Sequence, residues 1–377
     1  MRLVLVTQDF PPLRGGIQTY ALEVGKRLAR RCEGFAVIAP EAEGADAFDR
    51  SLGFRVFRRG SVDMLPATLV PTLTELAFDE GFDHALHAQW TTAPASLALR
   101  GLGRLKKVSI AAHGRELLLE PWAVLGFAQR GYDVVRRQAL RRADHVLAGS
   151  EFTAGLVRDL GVAPGRIAVT RYGTDPTRFS PRDASALRER LGLGGRPVLV
   201  TIARLVGRKG IHAVLEALPG VRRAVPGVAY VVVGDGPERQ RLEAVAHANG
   251  VADAVHFVGS VPDEELPVWY SLGDVFVMPS RSEAPDVEGF GIVYLEAGAC
   301  ERPVVALRSG GVPDAVADGV TGVLIEPDDP QALGTRLSEL LLDPTRAAEL
   351  GRRGRERVLS ELNWDSVTER TLAALSS

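Results

Sequence analysis

Cysteine and long apolar runs are both scarce in this chain. It has two cysteines, Cys32 and Cys300, far apart and with no histidine or second cysteine beside either. This excludes a disulfide scaffold or a cysteine-rich metal site, and we interpret both as core residues in a reducing cytoplasm. No apolar run approaches the roughly 20 residues of a membrane-spanning helix. The segment 1–7 is too short for a signal peptide and predicts a first strand.

Lysine is also rare, and the net charge is small. Only Lys26, Lys106, Lys107 and Lys209 stand among 45 basic residues, so a lysine at a motif position is informative. The formal net charge of −2 gives no basis for bulk nucleic-acid binding. No Asp-x-Asp motif, which could bridge a metal ion to a diphosphate, occurs in the chain.

Short apolar runs that alternate with helical patterns are abundant. This alternation predicts parallel sheets built from β-α-β units. A helix is expected at 17–30. The predicted strands of the first series are 2–7, 35–39, 55–57, 85–88, 108–111, 145–148 and 167–170, and those of the second series are 197–202, 229–233, 255–258, 275–278, 304–306 and 323–325.

A polar stretch at about 175–196 separates the two series. At 377 residues, two domains are also the expectation from length. The predicted fold class is therefore α/β, with two doubly wound, Rossmann-like domains facing a central cleft. We place an N-terminal domain at 1–180 and a second domain at 190–357. A C-terminal helix at about 358–377 is expected to pack back on the first domain.

Two glycine-containing turns follow predicted strands. Gly15-Gly16 lies between the first strand and the first helix, where backbone and helix N–H groups could approach an anion. Its spacing is not Gly-x-Gly-x-x-Gly, and a plain tight turn is the alternative. Gly234-Asp235-Gly236 lacks the third glycine of a dinucleotide motif, so we interpret it as a turn near a nucleotide.

Cations and a histidine also follow strand ends. Arg204 and Lys209 come after strand 197–202 and suit a diphosphate, although a solvated basic turn would look the same. His113 follows strand 108–111 and could bond a sugar hydroxyl or hold charge at a reacting centre; a histidine without such a role is the alternative.

Glu288 and Glu296 are eight residues apart, with Gly289 and Gly291 between them. The glycines predict that Glu288 stays in a loop and that a helix begins near Gly291, with Glu296 about one turn inside it. Two acceptors so placed would bind two polyols, such as a ribose and a hexose. The alternative is two surface acids at a helix start.

Several of these motifs together resemble one family. The spacing Glu288-(x7)-Glu296, Arg204 with Lys209, Gly15-Gly16 and Tyr172-Gly-Thr-Asp…Phe179 are similar to those of the retaining GT-B glycosyltransferases of family 4. The similarity runs from residue 1 to about 364. The stretches VTQDFPPLRGGIQTY and DVEGFGIVYLEA most resemble the branch of GDP-mannose-dependent phosphatidylinositol monomannoside mannosyltransferases.

The resemblance implies a metal-independent transfer of a hexose, with mannose from GDP-mannose as the expected donor, to a hydroxyl of a lipid-linked or glycan acceptor. Arg204 and Lys209 would hold the diphosphate, Glu296 the ribose and Glu288 the sugar hydroxyls, while His113 would lie near the sugar O6. The implied catalytic residues are His113, Glu288, Arg204 and Lys209. The implied donor-binding residues are Gly15, Gly16, Arg204, Lys209, Gly234, Val258, Glu288, Gly289, Phe290, Gly291, Ile292 and Glu296. The resemblance also implies that the domain at 1–180 binds the acceptor, through Gln8, Asp9 and Tyr20, and that the domain at 190–357 binds the donor.

One stretch departs from the family pattern, and another predicts membrane contact. Residues 282–285 (SEAP) replace a glycine-rich run often found before Asp286, which leaves the choice of donor open. Apolar and aromatic residues at 117–127 precede Arg130, Arg136, Arg137, Arg141 and Arg142. This pattern predicts an interfacial helix near a lipid acceptor, although a core helix with a basic face fits equally. We therefore expect a cytoplasmic protein with peripheral contact at the inner face of the cell membrane.

Other functions remain open from the residues alone. The alternatives are a family-4 transferase that uses a UDP- or ADP-sugar, a GT-B nucleotide-sugar epimerase, and a non-catalytic nucleotide-sugar-binding protein. A sugar phosphorylase would need a pyridoxal lysine in the second domain, where Lys209 is the only lysine and already has a phosphate role.

Overall fold

The computed structural model describes residues 1–13, 15–118, 126–281, 286–327 and 329–377. The chain divides into two compact units. Unit 1 comprises Met1–Tyr172 and Trp364–Ser377, and unit 2 comprises Gly173–Asn363. Both are built around a parallel sheet, which confirms the predicted α/β class of two Rossmann-like domains.

Unit 1 contains a sheet of seven strands within the described residues, in the order β3-β2-β1-β4-β5-β6-β7. Every pairing in it is parallel. The strands are β1 (Arg2–Val6), β2 (Gly34–Ala39), β3 (Arg55–Arg58), β4 (His84–His87), β5 (Lys107–Ala112), β6 (His145–Ala148) and β7 (Ile167–Val169). Its α-helices are α1 (Gly16–Leu28), α2 (Ala45–Arg50), α3 (Leu65–Thr68), α4 (Val70–Phe78), α5 (Ala93–Gly101), α6 (Arg115–Leu118), α7 (Gly126–Arg142) and α8 (Glu151–Asp159), together with the last helix of the chain, given below.

Unit 2 contains six strands across its described ranges, in the order β10-β9-β8-β11-β12-β13, again all parallel. The strands are β8 (Val198–Ile202), β9 (Ala229–Val233), β10 (Val255–Gly259), β11 (Val275–Val277), β12 (Val304–Leu307) and β13 (Gly322–Ile325). The helices are α9 (Ser185–Arg190), α10 (Ile211–Ala224), α11 (Arg239–Ala248), α12 (Leu266–Leu272), α13 (Ile292–Ala299), α14 (Val312–Ala315), α15 (Pro330–Leu342) and α16 (Pro344–Ser360).

The strands form where the apolar runs predicted them. Each of the predicted strands is present, with its ends displaced by no more than one residue. The central strands are buried on both faces; Leu3 to Val6 and Val198 to Val200, for example, are fully inaccessible. Strands covered by helices on both faces need apolar side chains at every position, which explains why they read as continuous runs.

The C-terminal segment differs from the single helix predicted at about 358–377. Helix α16 ends at Ser360, and α17 (Trp364–Ser376) begins after three intervening residues. The side-chain amide of Asn363 donates a hydrogen bond to the carbonyl of Leu359 at 2.9 Å. This bond satisfies a carbonyl at the end of α16 that has no intrahelical partner and so favours a break there. Helix α17 belongs to unit 1, where Trp364 packs edge-on against Tyr20 of α1.

In each sheet the strand order reverses at one place, between β1 and β4 in unit 1 and between β8 and β11 in unit 2. Open parallel sheets bind ligands beyond the carboxyl ends of the strands at such a switch point. The residues that follow these four strands are therefore the first place to look for a site. Among the described residues, no helix is long and apolar enough to cross a membrane.

Candidate active site

The basic loop after β8 in unit 2 is held by close backbone packing. The N–H of Leu205 donates to the carbonyl of Asp235 at 2.9 Å. Gly210 has a φ of +71°, and a Cβ there would collide with the carbonyl oxygen of Pro279, so only glycine fits this position. The loop therefore lies against the segment that follows β11 and directs Lys209 towards it.

Lys209 and Glu288 form a buried ion pair in unit 2. Lys209 Nζ lies 2.5 Å from Glu288 Oε2, and each residue is 8% exposed. Arg208 Nη1 lies 2.9 Å from the same oxygen, and Arg208 Nε lies 3.0 Å from Asp286 Oδ1. The hydroxyl of Ser280 also faces this oxygen, at 3.4 Å. The structure thus brings together two of the predicted residues, Lys209 and Glu288.

Two opposed effects act on the Glu288 carboxyl. Burial by itself would raise its pKa, but the charges of Lys209 and Arg208 favour the ionised form more strongly, and the pKa is lowered. Glu288 is therefore a carboxylate at neutral pH. Sequence reasoning missed Arg208; its position directly before Lys209 was the available signal.

The loop-plus-helix arrangement predicted around the two glutamates is confirmed. Gly291 has a φ of +90° and precedes α13, which begins at Ile292. Glu288 lies in the loop before it, where its carbonyl accepts a bond from the N–H of Gly311 at 2.9 Å. Glu296 lies one turn inside α13. The positive φ at Gly291 explains why the chain can turn sharply between the two acids.

Glu296 has a different environment from Glu288. Its Oε2 accepts a 2.6 Å hydrogen bond from the hydroxyl of Tyr270, a fully buried residue of α12. Burial raises the pKa of Glu296, and the bond from Tyr270 offsets this only in part. The two glutamates therefore differ: Glu288 is charge-paired, whereas Glu296 is bonded to a neutral phenol.

The other predicted donor residues of unit 2 lie at three places: after β8, after β9, and around the Glu288 loop and the edge strand β10. Arg204 is exposed, and the described part of the chain offers its side chain no hydrogen bond or ion pair. Gly234 has a φ of +126°, and a Cβ on it would collide with the Ala203 carbonyl oxygen. Its packing against the β8 loop is thus a sufficient structural reason for glycine. The rest lie around the Glu288 loop or on the edge strand β10: Val258, Gly289, Phe290 and Ile292, of which Phe290 is buried.

His113 of unit 1 is buried, and both of its ring nitrogens are bonded. Nε2 lies 2.8 Å from the carbonyl oxygen of Ala88, which can only accept, so Nε2 carries the proton. Nδ1 then accepts from the hydroxyl of Tyr172. Burial lowers the pKa of His113, which keeps the imidazole neutral. A sugar hydroxyl would therefore have to replace Tyr172 or Ala88 to reach this ring.

Tyr20 lies beneath this histidine. Its ring packs edge-on against His113 and Tyr172, with centroids 5.3 and 5.6 Å away, and Tyr20 is only 2% exposed. An acceptor-binding role for Tyr20 would have to act through these two neighbours.

Gln8 and Asp9 follow β1 and belong to a network of amides. Asp9 Oδ1 accepts from Gln18 Nε2 at 2.8 Å, and Oδ2 accepts from Gln89 Nε2 at 2.5 Å. Gln89 also accepts from the backbone N–H of Gln8 at 3.1 Å. Burial raises the pKa of Asp9. Gln89, which follows β4, was missed from the sequence, although its place after a switch-point strand was a signal.

The remaining predicted residues lie at the start of α1, in α7 or outside the described residues. Gly16 begins α1, and the carbonyl of Gly15 accepts from the N–H of Thr19 at 3.0 Å. The substituted stretch 282–285 lies outside the described residues, as do 119–125 of the predicted membrane segment. Within α7, Arg136 and Arg137 pair with Asp133.

Family models and relatives place these sites in context. Residues 14–178 match the model for Glycosyltransferase Family 4, and residues 183–357 match that for Glycosyl transferases group 1. The chain is 40% identical to a GDP-mannose-dependent alpha-(1-6)-phosphatidylinositol monomannoside mannosyltransferase of Mycolicibacterium smegmatis, over 99% of this chain and 98% of the relative. It is 34% identical to a GDP-mannose-dependent monoacylated alpha-(1-6)-phosphatidylinositol monomannoside mannosyltransferase of Corynebacterium glutamicum, over 100% and 98%.

Solved structures share the fold. HepE of Anabaena, in complex with UDP, matches with a TM-score of 0.82 at 21% identity, covering 100% of both chains. WaaG, a glycosyltransferase involved in lipopolysaccharide biosynthesis, matches with a TM-score of 0.71 at 18% identity, covering 99% of this chain and 98% of WaaG. The family models, the relatives and the shared fold thus define a GT-B glycosyltransferase. The chain belongs to glycosyltransferase family 4.

Proposed function

We propose that this chain transfers mannose from GDP-mannose to a hydroxyl of a phosphatidylinositol mannoside, with retention of configuration and without a metal. The observation that carries the proposal is the near full-length identity of 40% to a relative named for this donor and acceptor. The charged cluster of unit 2 supports it chemically, because a nucleoside diphosphate needs cations where its charge develops.

In this proposal unit 2 binds the donor. Lys209 and Arg204 hold the diphosphate, Glu296 accepts from the ribose and Glu288 accepts from hydroxyls of the sugar. The pairing of Lys209 with Glu288 supports these roles, since a diphosphate that approaches Lys209 places its sugar next to Glu288. The lowered pKa of Glu288 keeps it an acceptor at neutral pH.

Unit 1 binds the acceptor. Asp9 accepts from acceptor hydroxyls, Gln8 donates to them, and His113 is the catalytic residue that unit 1 contributes. The bond between the sugar C1 and the phosphate oxygen breaks as the acceptor oxygen bonds to C1 on the same face. The acceptor proton passes to an oxygen of the departing diphosphate, and Lys209 and Arg204 stabilise the charge of the leaving group.

Peripheral contact with an anionic membrane is the finer part of the proposal, because the acceptor is a lipid. Supporting features in the described part of α7 are the exposed Arg141 and Arg142 and the exposed apolar residues Val134 and Val135, which are 58% and 47% exposed. Flotation with anionic vesicles at low and high salt tests this. Salt-sensitive association is expected, and its absence would remove membrane contact from the proposal.

The transfer itself is tested with radiolabelled donors. The purified chain is incubated with phosphatidylinositol monomannoside and GDP-mannose, UDP-glucose or ADP-glucose in parallel, and lipid-extractable label is counted. Label from GDP-mannose alone is expected, and Lys209→Met, as the control, should transfer far less of it. Transfer from UDP- or ADP-sugar in its place would correct the donor, and no transfer with intact nucleotide binding would favour a non-catalytic binding protein.

A further inference from the structure

Tyr270 is a fully buried tyrosine whose hydroxyl is directed at one of the proposed donor residues. It lies on α12, has no exposed surface, and its hydroxyl donates to Glu296 Oε2 at 2.6 Å. A carboxylate can only accept, so the phenol is the donor. A hydroxyl that donates to an ionised carboxylate makes one of the stronger classes of hydrogen bond.

The Tyr270 ring is held in place by aromatic neighbours. Phe179 packs edge-on against it at 5.9 Å, and Phe276 packs tilted at 5.6 Å. Burial raises the pKa of Tyr270 well above its ordinary 10, so the phenol keeps its proton at neutral pH. The hydroxyl is therefore a fixed, neutral donor.

The carboxylate of Glu296 has capacity left after this bond. Across the described ranges of the chain, Tyr270 is the one hydrogen-bond partner of the Glu296 side chain. The charged and titratable groups around it, Arg178, Asp263 and Cys300, act on it or respond to it electrostatically and do not bond to it. Glu296 is thus oriented through one oxygen, and its other oxygen and negative charge remain for a ligand.

We propose that Tyr270 is a positioning residue for the donor, which fixes the carboxylate of Glu296 so that it accepts from the ribose hydroxyls of a nucleoside diphosphate. The inference rests on the proposed function, in which Glu296 binds that ribose. A neutral donor suits the task, because a cation bonded to Glu296 would neutralise the charge that attracts the hydroxyls.

Titration calorimetry with two kinds of nucleotide tests this positioning. GDP and 2′,3′-dideoxy-GDP are titrated into the full chain, the Tyr270→Phe variant, the Glu296→Ala variant and the double variant. UDP and ADP, with their dideoxy forms, are titrated in parallel, so that the test of the ribose does not depend on the base. Tyr230→Phe is the matched control, since this tyrosine is equally buried and its hydroxyl bonds to Thr201, at 2.7 Å.

Tyr270→Phe is expected to weaken the binding of GDP by about five- to tenfold, which is the effect of losing one strong hydrogen bond. The same variant should bind dideoxy-GDP with the affinity of the unaltered chain. In the Glu296→Ala background, Tyr270→Phe should cause no further change in the affinity for GDP. A merely structural role would weaken both nucleotides equally, and that result, or an unchanged affinity for GDP, would overturn the inference. If Glu296→Ala itself leaves every nucleotide affinity unchanged, the proposed ribose contact falls, and the inference falls with it.

Discussion

The two units place different chemistry at the same position of the same architecture. At the switch point of unit 2, Lys209 and Arg208 meet Glu288 and Asp286 in a cluster of formal charges. At the switch point of unit 1, Asp9 is surrounded by neutral amides. Gln18 and Gln89 donate to its carboxylate, and its neighbour Gln8 bonds to Gln89 and Thr91.

In the proposed function, this difference separates the two substrates by their chemistry. A diphosphate gains most from fixed cations, whereas a polyol is bound by a set of neutral donors and acceptors. The electrostatics follow the same division, because neighbouring cations lower the pKa of Glu288 while burial raises that of Asp9. Similar sheets can thus serve two ligands when the residues after their strands differ.

The largest expected effect comes from removing one charge from the unit 2 cluster. Lys209→Met should reduce transfer by about 10²–10³-fold, the usual loss when one preorganised electrostatic group is removed. It should also lower the free energy of unfolding by about 3 kcal/mol, because Glu288 is left buried without its closest cation. Transfer assays and thermal unfolding measure the two effects.

The matched control is Lys26→Met. Lys26 forms a 2.9 Å pair with Glu23 on α1, and its side chain is 42% exposed, so its loss should cost less than about 1 kcal/mol. The double variant Lys209→Met with Glu288→Gln should be destabilised by less than the sum of the single variants. Strict additivity would show that the pair is not coupled.

A smaller effect, confined to the acceptor, is expected from Asp9→Asn in unit 1. The new amide group would face the donating amide of Gln18 or Gln89, so the variant loses one hydrogen bond and the negative charge. The KM for the acceptor should rise by about tenfold while GDP affinity stays unchanged. Asp46→Asn, at an exposed position of α2, is the control. Weakened GDP binding in Asp9→Asn would break the separation of roles between the units.

Tyr172→Phe is expected to act on His113. Without the phenol, His113 Nδ1 loses its donor, and the ring is held only through Nε2. Transfer should fall by about tenfold with unaltered GDP affinity. Tyr132→Phe, whose ring packs on Trp90 in the same unit, serves as the control. Equal transfer rates for Tyr172→Phe and the unaltered chain would contradict a role for Tyr172 in orienting His113.

The smallest effect is a pH dependence within unit 2. Glu296 has a raised pKa, so it becomes protonated at a higher pH than an ordinary glutamate at 4.5, and its attraction for the ribose is lost as the pH falls. Glu288 has a lowered pKa and keeps its charge over the same interval. The affinity ratio of GDP to dideoxy-GDP should fall by about two- to fivefold from pH 7.5 to 5. Taking this ratio cancels the titration of the phosphates, and a ratio independent of pH would contradict the role of Glu296.

Much of this fold can be predicted from the sequence because buried parallel strands must be apolar throughout. The loop before Glu296 can also be predicted from the sequence, because Gly289 and Gly291 disfavour a continuous helix there. By contrast, the contacts of Arg208 with Glu288 and of Gln89 with Asp9 each join residues about 80 positions apart. Such pairings depend on which strands become neighbours in the sheet, and local patterns carry no information about that.

The last helix shows another limit. The break between α16 and α17 is favoured by side-chain bonds from Asn363, which the apolar pattern around Trp364 does not reveal. The sequence also does not predict that both ring nitrogens of His113 are hydrogen-bonded, because only the folded chain places Ala88 and Tyr172 on either side of the ring.

The most direct test of the central claim is the configuration of the linkage made from GDP-mannose, whose mannose is α-linked. The product formed with phosphatidylinositol monomannoside is isolated, and its new anomeric centre is assigned by NMR. An α-mannosyl linkage is expected in the product of the unaltered chain, with about 10²–10³-fold less product from Lys209→Met. A β-linkage, or full transfer by Lys209→Met, would contradict this expectation.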